Sequence, residues 1–169
     1  MQRKHISHNM KKTIIAAFVL LLSAQLNAQM AGSTGAAYKQ AIGLKFPGGF
    51  SVTYKKFVTD THNIEGQLTA WNKGFRLAGL YEFNFYSFPT VEGLAWFVGP
   101  GAHVGFWKEQ YSKDYNSKAD VGIDGILGLD YKFKEIPVNV SLDWEPAVTL
   151  VGSAGFTPAY GGLAIRYTF

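Results

Sequence analysis

Polar and charged side chains are threaded into apolar runs at every second position, and no other feature limits the fold of this 169-residue chain so strongly. Between Asp120 and Phe133, one parity holds Val121, Ile123, Leu127, Leu129, Tyr131 and Phe133; the other holds Asp120, Asp124, Asp130 and Lys132. Side chains alternate across a strand with a period of two, so this run reads as a strand with one apolar face and one charged face. The pattern recurs further along, where Val138, Val140, Leu142, Trp144, Val148 and Leu150 oppose Asn139, Ser141, Asp143, Glu145 and Thr149. Upstream, Phe75, Leu77, Tyr81, Phe83 and Phe85 oppose Arg76, Glu82 and Asn84, while Trp96, Val98, Ala102, Val104 and Phe106 oppose Gly99, Gly101, His103 and Gly105. No helical period is sustained. Turn residues separate the runs, which predicts eight strands at 37–46, 49–57, 63–72, 75–88, 94–107, 120–133, 138–151 and 159–169.

The amino end has a different character. Arg3, Lys4, Lys11 and Lys12 precede an apolar run from Thr13 to Ala24, and Leu26-Asn27-Ala28 offers a cleavage site. A run of about a dozen residues is too short for the roughly 20 that span a bilayer as a helix. Residues 1–28 are therefore expected to be a cleavable signal peptide, and 29–169 one domain. Removing the signal changes the electrostatics. The whole chain carries 16 Lys and Arg against 12 Asp and Glu, but four of the basic residues lie in 1–28 with no acids. The mature part is balanced at 12 of each, so its charge gives no reason to expect nucleic acid as a partner. The absence of cysteine excludes a lipid-modified amino terminus, disulfides and thiolate metal sites.

The carboxyl end carries the most specific motif. From Gly162 to Phe169, Leu163, Ile165, Tyr167 and Phe169 share one face and Gly162, Ala164, Arg166 and Thr168 the other, and the chain ends on the aromatic ring. With the leader and eight alternating runs, this resembles the small bacterial outer-membrane β-barrel proteins. The resemblance spans the mature chain and fits no one subfamily. It implies an all-β fold, an eight-stranded antiparallel up-and-down transmembrane barrel. It also implies a Gram-negative outer-membrane location after export to the periplasm, contact with outer-membrane lipid, and Tyr167 and Phe169 as an assembly signal read by the barrel-assembly machinery.

Such a barrel places its longer loops outside, and here Lys108–Ala119 alone is long and charged. Aromatic residues are expected to form girdles at both interfaces, with Tyr54, Phe83, Phe85, Trp96, Tyr131, Phe133, Tyr167 and Phe169 at the periplasmic ends and Phe46, Phe75 and Phe106 at the other rim.

The inward parity supplies the candidate site. An eight-stranded barrel is just wide enough for its own side chains to fill it. Lys45, Arg76, Glu82, His103, Asp124, Asp130, Asp143, Glu145 and Arg166 are expected to form a polar lumen network, with Lys39, Lys55, Glu65 and Lys132 on the same parity. Isolated buried ions are costly, so opposite charges must pair, and a salt-bridged plug is favoured over a pore. Asp124, Asp130, Asp143 and Glu145 could form an acidic patch, but without a calcium-loop pattern they read as partners for Arg76, Arg166 and Lys132. No metal or cofactor is expected.

His103 is the one histidine in a predicted strand. Similar small barrels that deacylate lipid A carry a histidine and serine two apart facing lipid. Here Val104 and Gly105 follow, and His103 has inward parity, so no catalytic residue is assigned. Pro100 and Pro146 fall inside strands and each deletes a ladder donor, which predicts bulges or bends. The favoured function is a non-enzymatic outer-membrane protein serving envelope structure, surface interaction or a narrow, porin-like passage. The alternatives are a lipid-modifying enzyme, and a secreted soluble barrel carrying an apolar ligand.

Overall fold

A computed structural model describes residues 35–88, 90–108, 118–152, 154–158 and 160–169. The expected signal peptide and most of the loop Lys108–Ala119 lie outside the described residues. Every regular element among those described is a strand. They are β1 (Gln40–Pro47), β2 (Phe50–Phe57), β3 (His62–Trp71), β4 (Gly74–Phe85), β5 (Leu94–Trp107), β6 (Ala119–Lys132), β7 (Val138–Trp144), β8 (Ala147–Val151), β9 (Gly155–Thr157) and β10 (Gly162–Thr168).

Each of β1 to β6 pairs antiparallel with the next. Then β6 pairs with β7, β7 with β10, and β10 with β1, with Leu44 opposite Ile165. The result is a closed antiparallel ring of eight staves. Closure removes the sheet edges and leaves each stave paired on both sides. Chain reversals are tight where the sequence offers small residues. Between β1 and β2, Gly49 takes φ +141°, a conformation that L side chains rarely adopt, and its N–H bonds the Pro47 carbonyl.

Two expected strands differ in detail. The seventh, 138–151, is two segments, because Pro146 cannot donate to the ladder. The register survives the gap: Leu127 faces Trp144 before it and Asp124 faces Ala147 after it. The eighth starts later than 159, at Gly162, and the stretch between the last two expected strands contains β9, which folds back onto β8. Pro100 and Pro146 also prove to be spatially related. Pro100 lies opposite Gly125 of β6, and the Gly125 N–H donates to the Pro146 carbonyl at 2.9 Å. The two prolines flank one β6 residue, and the β4–β5 ladder skips Tyr81 and Glu82 at the same level. A line of interrupted pairing thus crosses the wall at mid-height.

Burial is inverted relative to a water-soluble core. In β3 the buried parity holds Asn63, Glu65, Gln67 and Thr69, while Ile64 and Leu68 are exposed. In β10, Arg166 is buried and Leu163, Ile165 and Tyr167 are exposed. Leu80, Phe97 and Ile126 form a small buried apolar cluster. Along β4 it lies between Arg76 and Glu82, and along β6 between Asp124 and Asp130, so it separates two ionic clusters on that side of the lumen.

Candidate functional site: the ionic lumen

The first cluster lies toward the loop end, near the β1–β2 and β3–β4 turns. Lys45 of β1 reaches Asp143 of β7 at 2.6 Å and Glu145 at 3.1 Å. Arg76 of β4 reaches the same Glu145 at 2.9 Å and Asp124 of β6 at 2.7 Å. His103 of β5 sits between two carboxylates, with Nδ1 2.8 Å from Asp124 and Nε2 3.9 Å from Asp120. An aromatic group covers this end: Trp71 packs edge-on against Trp107 at 5.5 Å, and the Arg76 guanidinium lies 4.3 Å from the Tyr160 ring centre. Trp107 donates its indole N–H to Asp120 at 2.8 Å. Lys45 and Arg76 are therefore held by charge-assisted bonds, and Arg76 is also shielded by a flat ring.

The second cluster lies toward the end that carries the chain terminus. Arg166 of β10 donates to Glu65 of β3 at 2.7 Å, to Ser141 at 2.6 Å and to Thr53 at 2.8 Å. Lys55 of β2 serves three carboxylates, Glu82 at 2.8 Å, Glu65 at 3.2 Å and Asp130 at 3.4 Å. Asp130 also accepts from the Asn139 amide at 2.6 Å and the Tyr38 hydroxyl at 3.3 Å. Tyr38 precedes β1. Burial pushes its phenol well above the usual value, with Asp130 beside it acting in the same direction, so the hydroxyl stays a donor.

These contacts cross the lumen. In the eight-stave ring, β2 and β6 are diametrically opposed, and Lys55 links them. Arg166 and Arg76 each bridge staves three steps apart. Side chains tied from wall to wall span the described lumen with ion pairs and hydrogen bonds.

The structure thus places Lys45, Arg76, Glu82, His103, Asp124, Asp130, Asp143, Glu145 and Arg166 on the inward, buried face. The acidic patch is divided: Asp124, Asp143 and Glu145 meet Lys45 and Arg76, whereas Asp130 meets Lys55. Arg166 pairs with Glu65 instead. Two inward assignments by parity are corrected. Lys39 is exposed just before β1. Lys132 is half-buried, and its ammonium turns back to the carbonyls of Phe133 and Ile136. At a strand end the pleat no longer aims a flexible side chain. Phe85 also departs from its expected girdle position, being buried and stacked on Trp96 at 4.2 Å.

Sequence reasoning missed Asn63, Tyr38, Asp120, Trp107 and Tyr160 as parts of the network. Parity signalled Asn63 and Asp120. Tyr38 and Tyr160 fall inside the expected strands 37–46 and 159–169 but lie just before β1 and β10, where strand parity does not aim a side chain. Tyr167 and Phe169 lie on the outward face, both exposed, and the Phe169 backbone makes two 2.9 Å bonds with Gln40. No family model matches the chain, and no curated protein is significantly similar to it.

Proposed function

We propose that this protein is an integral outer-membrane β-barrel, closed by its own ion pairs, that serves the envelope as a structural or surface component. One observation carries the reading: apolar side chains point outward and stay exposed around the ring while the charged ones are buried. Ile123 is 53% exposed, Leu142 58% and Ile165 54%, whereas Lys55, Glu65, Glu82 and Glu145 are at 0%. In water, so continuous an apolar band is an aggregation liability; against lipid tails it is the surface that faces the solvent. Outside the interruption at Pro100 and Pro146, the closed ladder also pairs the backbone within the wall, as hydrocarbon demands.

On this reading the wall-to-wall ion pairs make the lumen a plug, and the small surface outside it leaves loop contacts as the means of interaction. His103 supports the non-enzymatic choice, because its ring is engaged by Asp124 inside the lumen. Outer-membrane lipid and the assembly machinery, acting on β10, are the partners this reading requires. The test is fractionation and gel migration. The processed protein should need detergent for extraction, migrate differently before and after boiling, and give no conductance in planar bilayers. A freely soluble monomer without detergent would overturn the membrane assignment; steady conductance would overturn the plug.

A further inference from the structure

The terminus-end cluster contains one carboxylate more than its cations can serve. Lys55 and Arg166 face Glu65, Glu82 and Asp130, all buried. The three acids are not equally supported. Glu65 has Arg166, Lys55 and the Gln67 amide at 3.1 Å, and Asp130 has Lys55, Asn139 and Tyr38. Among the described residues Glu82 has only its share of Lys55, and its Oε1 is buried without a partner.

A second, independent feature stands beside it. Asn63 is fully buried, and neither its side-chain nitrogen nor its side-chain oxygen has a hydrogen-bond partner among the described residues. Asn63 lies directly opposite Glu82 in the β3–β4 ladder, on the same inward face. Side chains so placed stand about 5 Å apart at their Cβ atoms, so a rotamer adjustment brings their polar ends together. Two carboxylate oxygens cannot bond the Asn63 carbonyl oxygen, because all three are acceptors. A carboxylic acid can. Its hydroxyl would satisfy the Asn63 oxygen, its carbonyl would accept from the Asn63 amide or Lys55, and the cluster would become neutral.

We propose that Glu82 and Asn63 form a proton-binding site, in which Glu82 is a neutral acid donating to the Asn63 side-chain oxygen at neutral pH. The surrounding groups fit. Lys55 on β2, Glu65 on β3, Asp130 on β6 and Arg166 on β10 are the charged groups around Glu82, with Tyr38 beyond Asp130. On β5, the nearest neighbours are the neutral Gly99 and Phe97, the latter 4.4 Å from the Lys55 ammonium. Every charge except one is then balanced within the cluster, and the remaining one is removed by the proton.

The experiment pairs infrared spectroscopy with two amide substitutions on the refolded barrel in detergent. At neutral pH the wild type should show a protonated-carboxyl carbonyl band that shifts in deuterated buffer, vanishes in Glu82→Gln, and persists in Asn63→Leu at a shifted position. Glu82→Gln, which mimics the neutral acid, should unfold at a temperature equal to or above wild type, whereas Glu65→Gln should unfold lower. Absence of the band in wild type, whether or not the variants fold, would overturn the site. So would equal destabilisation by the two substitutions. A thermal midpoint that rises with sodium or potassium in wild type and not in Glu82→Gln would assign the missing charge to a metal cation instead.

Discussion

Replacing Arg166 with methionine tests the plug directly. Arg166 is fully buried and spends its donors on Glu65, Ser141 and Thr53. The apolar replacement leaves Glu65 with Lys55 and Gln67 alone and strips two hydroxyls of a partner. Breaking a buried ion pair by removing one member costs about 3–5 kcal/mol, and each orphaned hydroxyl adds about 1 kcal/mol. Arg166→Met should therefore destabilise the barrel by roughly 5–7 kcal/mol. Adding Glu65→Leu removes the stranded carboxylate, so the double variant should be more stable than Arg166→Met, with a coupling energy of about 2–3 kcal/mol. Urea unfolding in lipid vesicles, read by the gel-mobility difference, gives all four corners of the cycle. If water filled the lumen, the pair would behave as an exposed one worth about 1 kcal/mol or less. A small loss on Arg166→Met together with additive effects in the double variant would refute the sealed lumen.

Other substitutions probe the outer face, the wall and assembly. Ile165→Arg should cost about 2–4 kcal/mol in vesicles if the site lies near the bilayer midplane, although a half-exposed position in water would tolerate it; urea titration with and without lipid separates the two. Gly43→Ala should destabilise by at least about 1–3 kcal/mol, because the new Cβ would lie 2.0 Å from the Ile165 carbonyl oxygen. Gly66→Ala, with nothing within 4 Å of its Cβ, should stay within about 0.5 kcal/mol of wild type in the same assay. Phe169→Ala should refold in detergent with near-native stability, since its ring is exposed and contacts mainly Tyr167, yet it should reduce the amount of barrel recovered in the outer-membrane fraction of cells.

Much of the architecture is written in the residue order, because strand parity is a local property. A chain in which Asp120, Asp124 and Asp130 alternate with Val121, Ile123 and Leu129 has to send the two sets to opposite faces, whatever else the fold does. The same parity alone turns Lys45, Arg76, Glu82 and Arg166 inward, where all four are buried. Parity fails where the pleat ends, at Lys39 and Lys132, but it survives the proline between β7 and β8.

Partner choice belongs to the tertiary structure. Arg166 meets Glu65 from 101 positions away, and Lys55 meets Asp130 from 75. Those distances close only when the ring does, at the register that puts Leu44 against Ile165. No local pattern could show that Pro100 and Pro146 flank Gly125, that Tyr160 lies over Arg76, or that Asn63 lies opposite Glu82 without a hydrogen-bond partner among the described residues. Sequence sets which face a side chain occupies through bond geometry within a few residues. Barrel closure sets what it touches there, because curvature and stagger bring together staves that the chain keeps far apart.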